Sequence, residues 1–321
     1  MKGAITICPF CKGTDSGYFF PTEDQKGRIF ELRSCSSCHA IYLFPFPETD
    51  YLLDAYNPDY YGQGEKKFSS VSEFFIDFYH RRRVKKIIQY TGTSGRILDI
   101  GCGSGRFAEF LLKAGNFEVH GIELPGKAAE RAARVKGLNL KTGALATNDY
   151  PEKYFDAVTL FHVFEHLNNP SGILDVISRI LKPGGIVMMA FPNIDSFQAR
   201  LFKGKWLHLD PPRHLFFFKP GDFTRRMKER GFTVSEEKYM NISNGFAFQQ
   251  SILNLLFIKR ELLYEYLKGN RIYTQGYSGA NLFLQNILFK LTFPLFFASD
   301  LIESACKKGA TVLFILTKEP S

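Results

Sequence analysis

At 321 residues the chain is about twice the usual domain size, which excludes a mini-protein or a fibre and leaves one large domain with insertions or two to three smaller units. Apolar residues at 45% and charged residues at 23% are globular values, so disorder is excluded as the default state. The 41 basic against 32 acidic residues give +9, which favours phosphate-bearing partners without choosing among nucleic acid, nucleotide sugars and anionic lipid. Met1 to Phe10 does not read as a signal peptide, and no 18 uninterrupted apolar residues occur. The expectation is a cytoplasmic protein without a simple transmembrane helix.

Taken in chain order, the first pattern is Cys8-Pro-Phe-Cys11 and Cys35-Ser-Ser-Cys38, two C-x2-C pairs 23 residues apart. Each knuckle aims two thiolates at one point, and two knuckles complete the tetrahedron that zinc takes from sulfur. Cys8, Cys11, Cys35 and Cys38 are therefore expected to hold a structural zinc ion, with His39 a solvated neighbour; disulfides are disfavoured in a reducing compartment. Four thiolates leave no open coordination position, so the ion would serve folding or surface presentation. Beyond a tyrosine-rich stretch, residues 69–90 predict an amphipathic helix whose basic run, His80 to Arg83, reads as a solvated face.

Arg96 to Ile100 predicts a buried strand, followed by Gly101-Cys-Gly-Ser-Gly105 and a helix, Arg106 to Ala114. A dinucleotide fingerprint would need glycine where Arg106 stands, which weakens a pyrophosphate reading. Asp99 would repel a phosphate and suits a ligand carrying an ammonium group. Phe117 to Glu123 predicts a second strand ending in an acid 20 residues beyond Gly103, placed to accept ribose hydroxyls. Strands at 138–142, 154–162 and 185–191 alternate with helices, which predicts an α/β fold with a doubly wound, Rossmann-like sheet.

Leu98-Asp-Ile-Gly-Cys-Gly-Ser-Gly105, Glu123, Phe155-Asp-Ala-Val158, Phe164-Glu-His-Leu167 and Leu181-Lys-Pro-Gly-Gly185 resemble the successive motifs of class I S-adenosylmethionine-dependent methyltransferases, over roughly 95–240. The resemblance implies a seven-stranded sheet, with a sixth strand at 232–240 and an antiparallel last strand at 309–319. It also implies that Gly101, Gly103 and Gly105 lie along the methionine part of the cofactor, with Asp99 near it and Glu123 on the ribose. Many members place an acid against adenine after the third strand; here Gly143 is followed by Ala144, so that contact falls to a backbone amide there or to Asn148. The Cys lobe followed by Tyr56-Asn-Pro-Asp-Tyr-Tyr61 is similar to zinc-ribbon methyltransferases that modify sugars and envelope polysaccharides. Tyr60 and Tyr61 would either cap the cofactor or pack between domains. The resulting division is a zinc-ribbon lobe at 1–50, a connecting segment at 51–94, and a methyltransferase domain at 95–321 with a helical insertion at 244–306.

Methylating a neutral hydroxyl requires a group that takes its proton, and histidine is the usual one. His162 and His166 close the fourth strand, in a segment that members of the family use to wall the cofactor. His214 follows two prolines and Arg213, whose fork suits a phosphate or carboxylate. His214 is expected to be the base, with His162 the next candidate and His166 structural; Trp206 and His208 either form a stacking wall for a sugar or belong to the core. The leading expectation is O-methylation of a sugar or lipid-linked saccharide in envelope glycan biosynthesis. RNA methylation and a non-catalytic cofactor-binding scaffold are the rivals, and scattered basic residues speak against nucleic acid. The aromatic-rich stretch from 246 to 304 predicts greasy helices, Ile252 to Leu267 and Leu282 to Ile302, the second kinked at Pro294. These either lie on a membrane, join a second copy of the chain, or pack on the sheet.

Overall fold

The computed structural model describes residues 6–56, 70–240, 246–256, 259–267 and 269–320. Tyr60 and Tyr61 lie outside the described residues. The chain opens with an antiparallel meander of β1 (Ser16–Glu23), β2 (Ile29–Cys35) and β3 (Ile41–Phe44), and continues into α1 (Thr49–Ala55) and α2 (Ser70–Thr91). Strands and helices then alternate through β4 (Ser94–Ile100), α3 (Arg106–Ala114), β5 (Asn116–Glu123), α4 (Lys127–Ala132), β6 (Leu138–Thr142), β7 (Phe155–Phe161), α5 (Pro170–Ile180) and β8 (Leu181–Pro192). After these come α6 (Phe197–Phe202), β9 (Phe216–Phe217), α7 (Pro220–Lys228) and β10 (Phe232–Met240). Four helices, α8 (Phe246–Leu256), α9 (Leu262–Leu267), α10 (Arg271–Thr274) and α11 (Gly279–Ala305), precede the last strand, β11 (Thr311–Lys318).

Seven strands form one sheet in the order β10-β11-β8-β7-β4-β5-β6, parallel from β4 to β8 and with β11 antiparallel to both its neighbours. The doubly wound seven-stranded fold expected from the sequence is present. Runs such as Ile97 to Ile100 and Ile186 to Phe191 are buried throughout because helices cover both faces. From β4 the chain first builds outward through β5 and β6, then returns to add β7 and β8 on the other side. The crevice at the carboxyl ends of β4 and β7 is therefore the switch point at which such sheets bind ligands.

The meander is not a free-standing ribbon. β3 pairs with β9, Ile41 opposite Phe217 and Tyr42 opposite Phe216, so a four-stranded sheet joins the two parts of the chain. Cys8, Phe10 and Cys38 pack in the same core cluster as Leu160, Phe191 and Phe218. Phe10 meets Phe218 edge-on at 4.9 Å, and the Arg230 guanidinium lies over the Phe10 ring.

The insertion departs from the two-helix expectation. Glu261 takes a left-handed φ of 59°, which separates α8 from α9, and the buried Arg260 between them donates to the carbonyls of Glu23, Gly204 and Trp206. Three non-local carbonyls are thereby satisfied, which local helix propensity did not foretell. α11, by contrast, runs continuously through Pro294.

Candidate active site

The glycine loop follows from its backbone angles. Gly101, Gly103 and Gly105 have φ of 71°, 59° and 77°, where side-chain-bearing residues are strained. The N–H groups of Gly101 and Cys102 both donate to the Ile122 carbonyl, which binds the loop to the end of β5. A Cβ at Gly101 would collide with Val163, and one at Gly105 would come within 2.9 Å of Val135. At Gly103 a Cβ would meet nothing within 4 Å. The loop is packed at its first and last glycines and open at the middle one.

Glu123 closes β5 with its carboxylate against this loop, accepting the Gly103 N–H at 2.6 Å and the Leu124 N–H at 3.1 Å. Burial raises its pKa while the two N–H donors hold it back. Asp99, opposite Thr159 in the β4–β7 pair, is buried and accepts the Thr159 hydroxyl at 2.6 Å. Burial pushes its carboxyl up to about 7, against the Thr159 hydrogen bond and the charge of Arg83. The Gly143 N–H donates to the Glu123 carbonyl, so the exposed Ala144 follows directly at the rim of this crevice.

Arg83 corrects the reading of the basic run. Arg81 and Arg82 are exposed, but the Arg83 guanidinium stacks 3.7 Å over the Phe161 ring, within electrostatic reach of Asp99. His80 stacks on Phe107 and Phe110, and burial pulls it down to about 4. The spacing of His80, Arg83, Val84 and Ile87 at i, i+3, i+4 and i+7 is the signal that places them on one inward face.

A second constellation starts where β7 ends. His162 adopts φ of 55° and donates its N–H to the Ala190 carbonyl, and a short 3-10 turn carries Glu165 and His166 inward. The buried Glu165 carboxylate has His162 Nδ1 at 3.3 Å and His214 Nε2 at 3.9 Å. Burial works to raise Glu165, but the His162 hydrogen bond and the neighbouring imidazoles outweigh it and hold it at about 2. His166 Nδ1–H donates to the Arg213 carbonyl at 3.0 Å, and burial lowers this imidazole to about 4. Glu165, His166 and His214 offer ligand atoms within 4.8 Å of one another, a donor set that can accept a divalent cation. Sequence reasoning weighed the histidines as rivals and missed the acid that gathers them. The i, i+3, i+4 spacing of His162, Glu165 and His166 was the available signal.

Three expectations are corrected here. His214 is not an open base: its Nδ1–H is committed to the His208 carbonyl at 2.7 Å, and its Nε2 faces Glu165 and Asp210. Arg213 offers no free fork, because its Nε and one Nη donate to the Asp210 carboxylate and its other Nη donates to the Ala55 carbonyl. Trp206 is fully buried among Phe30, Leu32 and Leu209, and the half-buried His208 beside it is lowered to about 3, chiefly by desolvation, so the core alternative holds and neither forms a sugar-stacking wall.

The four knuckle cysteines converge. Cys8 and Cys38 place their sulfurs 3.5 Å apart, as do Cys11 and Cys35, all four lie within 4.8 Å, and none forms a disulfide. Sulfurs at tetrahedral corners around a zinc ion stand roughly 3.8 Å apart, so the set fits such an ion. His39 is exposed beside it.

Residues 75–237, about half of the chain, match the family model described as a methyltransferase domain, and the chain belongs to that family. It is an S-adenosylmethionine-dependent methyltransferase. Curated relatives named ubiquinone biosynthesis O-methyltransferase occur in Methylococcus capsulatus, at 30% identity over 48% of this chain and 70% of that protein, and in Alkalilimnicola ehrlichii, at 37% over 30% and 42%. A third, from Thiobacillus denitrificans, is 29% identical over 44% of this chain and 66% of its own length. The chain thus spans from two-fifths to seven-tenths of the length of these relatives. A solved structure described as a putative sarcosine dimethylglycine methyltransferase from Galdieria sulphuraria shares the fold, with a TM-score of 0.50 at 13% identity over 78% of this chain and 91% of that one. The expected sugar or lipid-linked saccharide acceptor of envelope glycan biosynthesis is overturned by relatives named for ubiquinone biosynthesis, and the RNA and scaffold alternatives fall with it.

The raised Asp99 sets a pH dependence. A carboxyl whose folded pKa lies above its unfolded value stabilises the fold fully at low pH and loses that contribution as pH rises from about 4 through about 7. A ligand ammonium favours the ionised form, so the sign reverses for binding. Cofactor affinity is expected to rise with pH between 6 and 7.5, by up to about tenfold per unit below the Asp99 pKa, and to flatten in Asp99→Asn. Calorimetric titration with S-adenosylhomocysteine across that range checks it; a wild-type slope retained in Asp99→Asn contradicts it.

Proposed function

We propose that this chain O-methylates a ring hydroxyl on a lipid-tailed quinone precursor, a reading supported by curated relatives named ubiquinone biosynthesis O-methyltransferase. The observation that carries the reading is His162. It stands at the carboxyl end of β7, its Nδ1 faces the Glu165 carboxylate, and its buried Nε2 has no hydrogen-bond partner among the described residues. An imidazole oriented by a carboxylate, with its second nitrogen available, is equipped to take a hydroxyl proton as the oxygen attacks. The bound cofactor supplies the activated methyl group. Gly103 would give backbone room for it, Glu123 would take the ribose hydroxyls, Asp99 and Arg83 would hold the ammonium and carboxylate of its amino-acid end, and Ala144 would border the adenine.

The four cysteines hold structural zinc in this proposal, apart from the methyl transfer. Transfer of labelled methyl to a short-tailed dihydroxyphenyl acceptor is the test. His162→Ala is expected to lower kcat by about a hundredfold or more while leaving S-adenosylhomocysteine affinity unchanged. Near-normal turnover in that variant removes His162 from the role. Failure of the cofactor-competent wild type to methylate any ring hydroxyl removes the acceptor class.

A further inference from the structure

We infer that α11 docks on an anionic bilayer, its outer side seated in one leaflet, so that a lipid-tailed acceptor reaches the site from the membrane. The helix is amphipathic in the inverse of the usual sense. Its buried side chains are Gln285, Asp300 and Glu303, whereas Phe283, Leu284, Leu291, Leu295, Leu301 and Ile302 are exposed, Leu291 at 75%. α8 beneath it buries Gln249, Gln250, Ser251 and Asn254 beside Ala247, Phe248 and Leu253, and exposes Leu255 and Leu256. A surface helix in water arranges these groups the other way round, because burying amides and carboxylates while wetting leucines costs free energy on both counts.

The orientation is held by specific bonds. Gln249 donates from Nε2 to the Phe289 carbonyl and to Thr292 Oγ1, both at 2.8 Å. Gln198 donates to Asp300 at 3.1 Å and to Glu303 at 2.9 Å. Rotating α11 to hide its leucines would break these contacts, so the apolar side is fixed outward. Over 18 residues the mean hydropathy reaches 1.4 with 6% of the window buried, enough by length and composition to cross a membrane. Its packing against α8, α9 and β10 instead fits a helix lying in the interface, roughly 40 Å of apolar ridge.

Charge selects the partner. Both acids of α11 are buried, and the exposed charges on the helix and its exit are Lys290 and Lys307. Anionic headgroups complement them, while the same helix of a second copy offers no exposed acid in return. This inference extends the proposed acceptor class, and it is tested without acceptor so that either can fail alone.

Flotation with phosphatidylcholine vesicles containing phosphatidylglycerol, at low salt, should carry the wild-type chain with the lipid. The double variant Leu291→Ser and Leu295→Ser replaces exposed side chains, so melting temperature and S-adenosylhomocysteine binding should hold while vesicle partitioning falls about a hundredfold. A wild type that stays with the unbound fraction, or a double variant that floats equally well, overturns the inference. So does a wild-type dimer that the double variant dissociates in the absence of any vesicle binding, which would assign the face to a second copy.

Discussion

Gly103→Ala is expected to leave a folded protein that no longer binds its cofactor well. The residue has φ of 59°, where alanine costs about 1 kcal/mol, and its Cβ would project into open space. That space is where the loop stays open beside Glu123, so the added methyl occupies room a ligand needs. Calorimetry should report at least about a tenfold loss of S-adenosylhomocysteine affinity, with a melting temperature lowered by only a few degrees. Gly101→Ala should behave differently, because its Cβ collides with Val163 and the loop cannot form without moving the end of β7. Lost binding there should come with a melting temperature lowered far more. If Gly103→Ala binds as the wild type does, the cofactor does not lie over this loop.

Removing zinc should destabilise far more than the first three strands. Structural zinc contributes on the order of 10 kcal/mol to the fold of its site. Here Cys8, Cys35 and Cys38 are buried in the same cluster as Phe216 and Phe218, and β3 hydrogen-bonds to β9, so disorder in the knuckles exposes part of the methyltransferase core. Metal analysis should find one zinc per chain. Chelation at neutral pH, or Cys38→Ser, should lower the melting temperature by about 10 °C or more, whereas Cys306→Ser at an exposed thiol should leave it unchanged. A metal-free protein that melts at the same temperature would refute the proposed ion.

Some of this protein was legible in one dimension because its chemistry is local. The C-x2-C knuckles, the run from Asp99 through Gly105 and the acid at Glu123 carry their geometry within a few residues. The antiparallel last strand followed from the resemblance to the methyltransferase family, and folding sets it, as β11, between β10 and β8. What tertiary structure decided are the partners of polar groups whose companions lie far along the chain. Arg213 looked like a ligand fork until it closed on Asp210 and the distant Ala55 carbonyl. Trp206 was open between a stacking wall and the core until Phe30 and Leu32, far earlier in the chain, buried it. Arg83 read as solvated until the end of β7 brought Phe161 beneath it, and the histidines read as competitors until folding set them around Glu165. In α11 the composition alone marked an apolar helix. Which of its sides meets solvent was settled by Gln198 and Gln249, because buried polar groups must find partners and the helix turns to supply them.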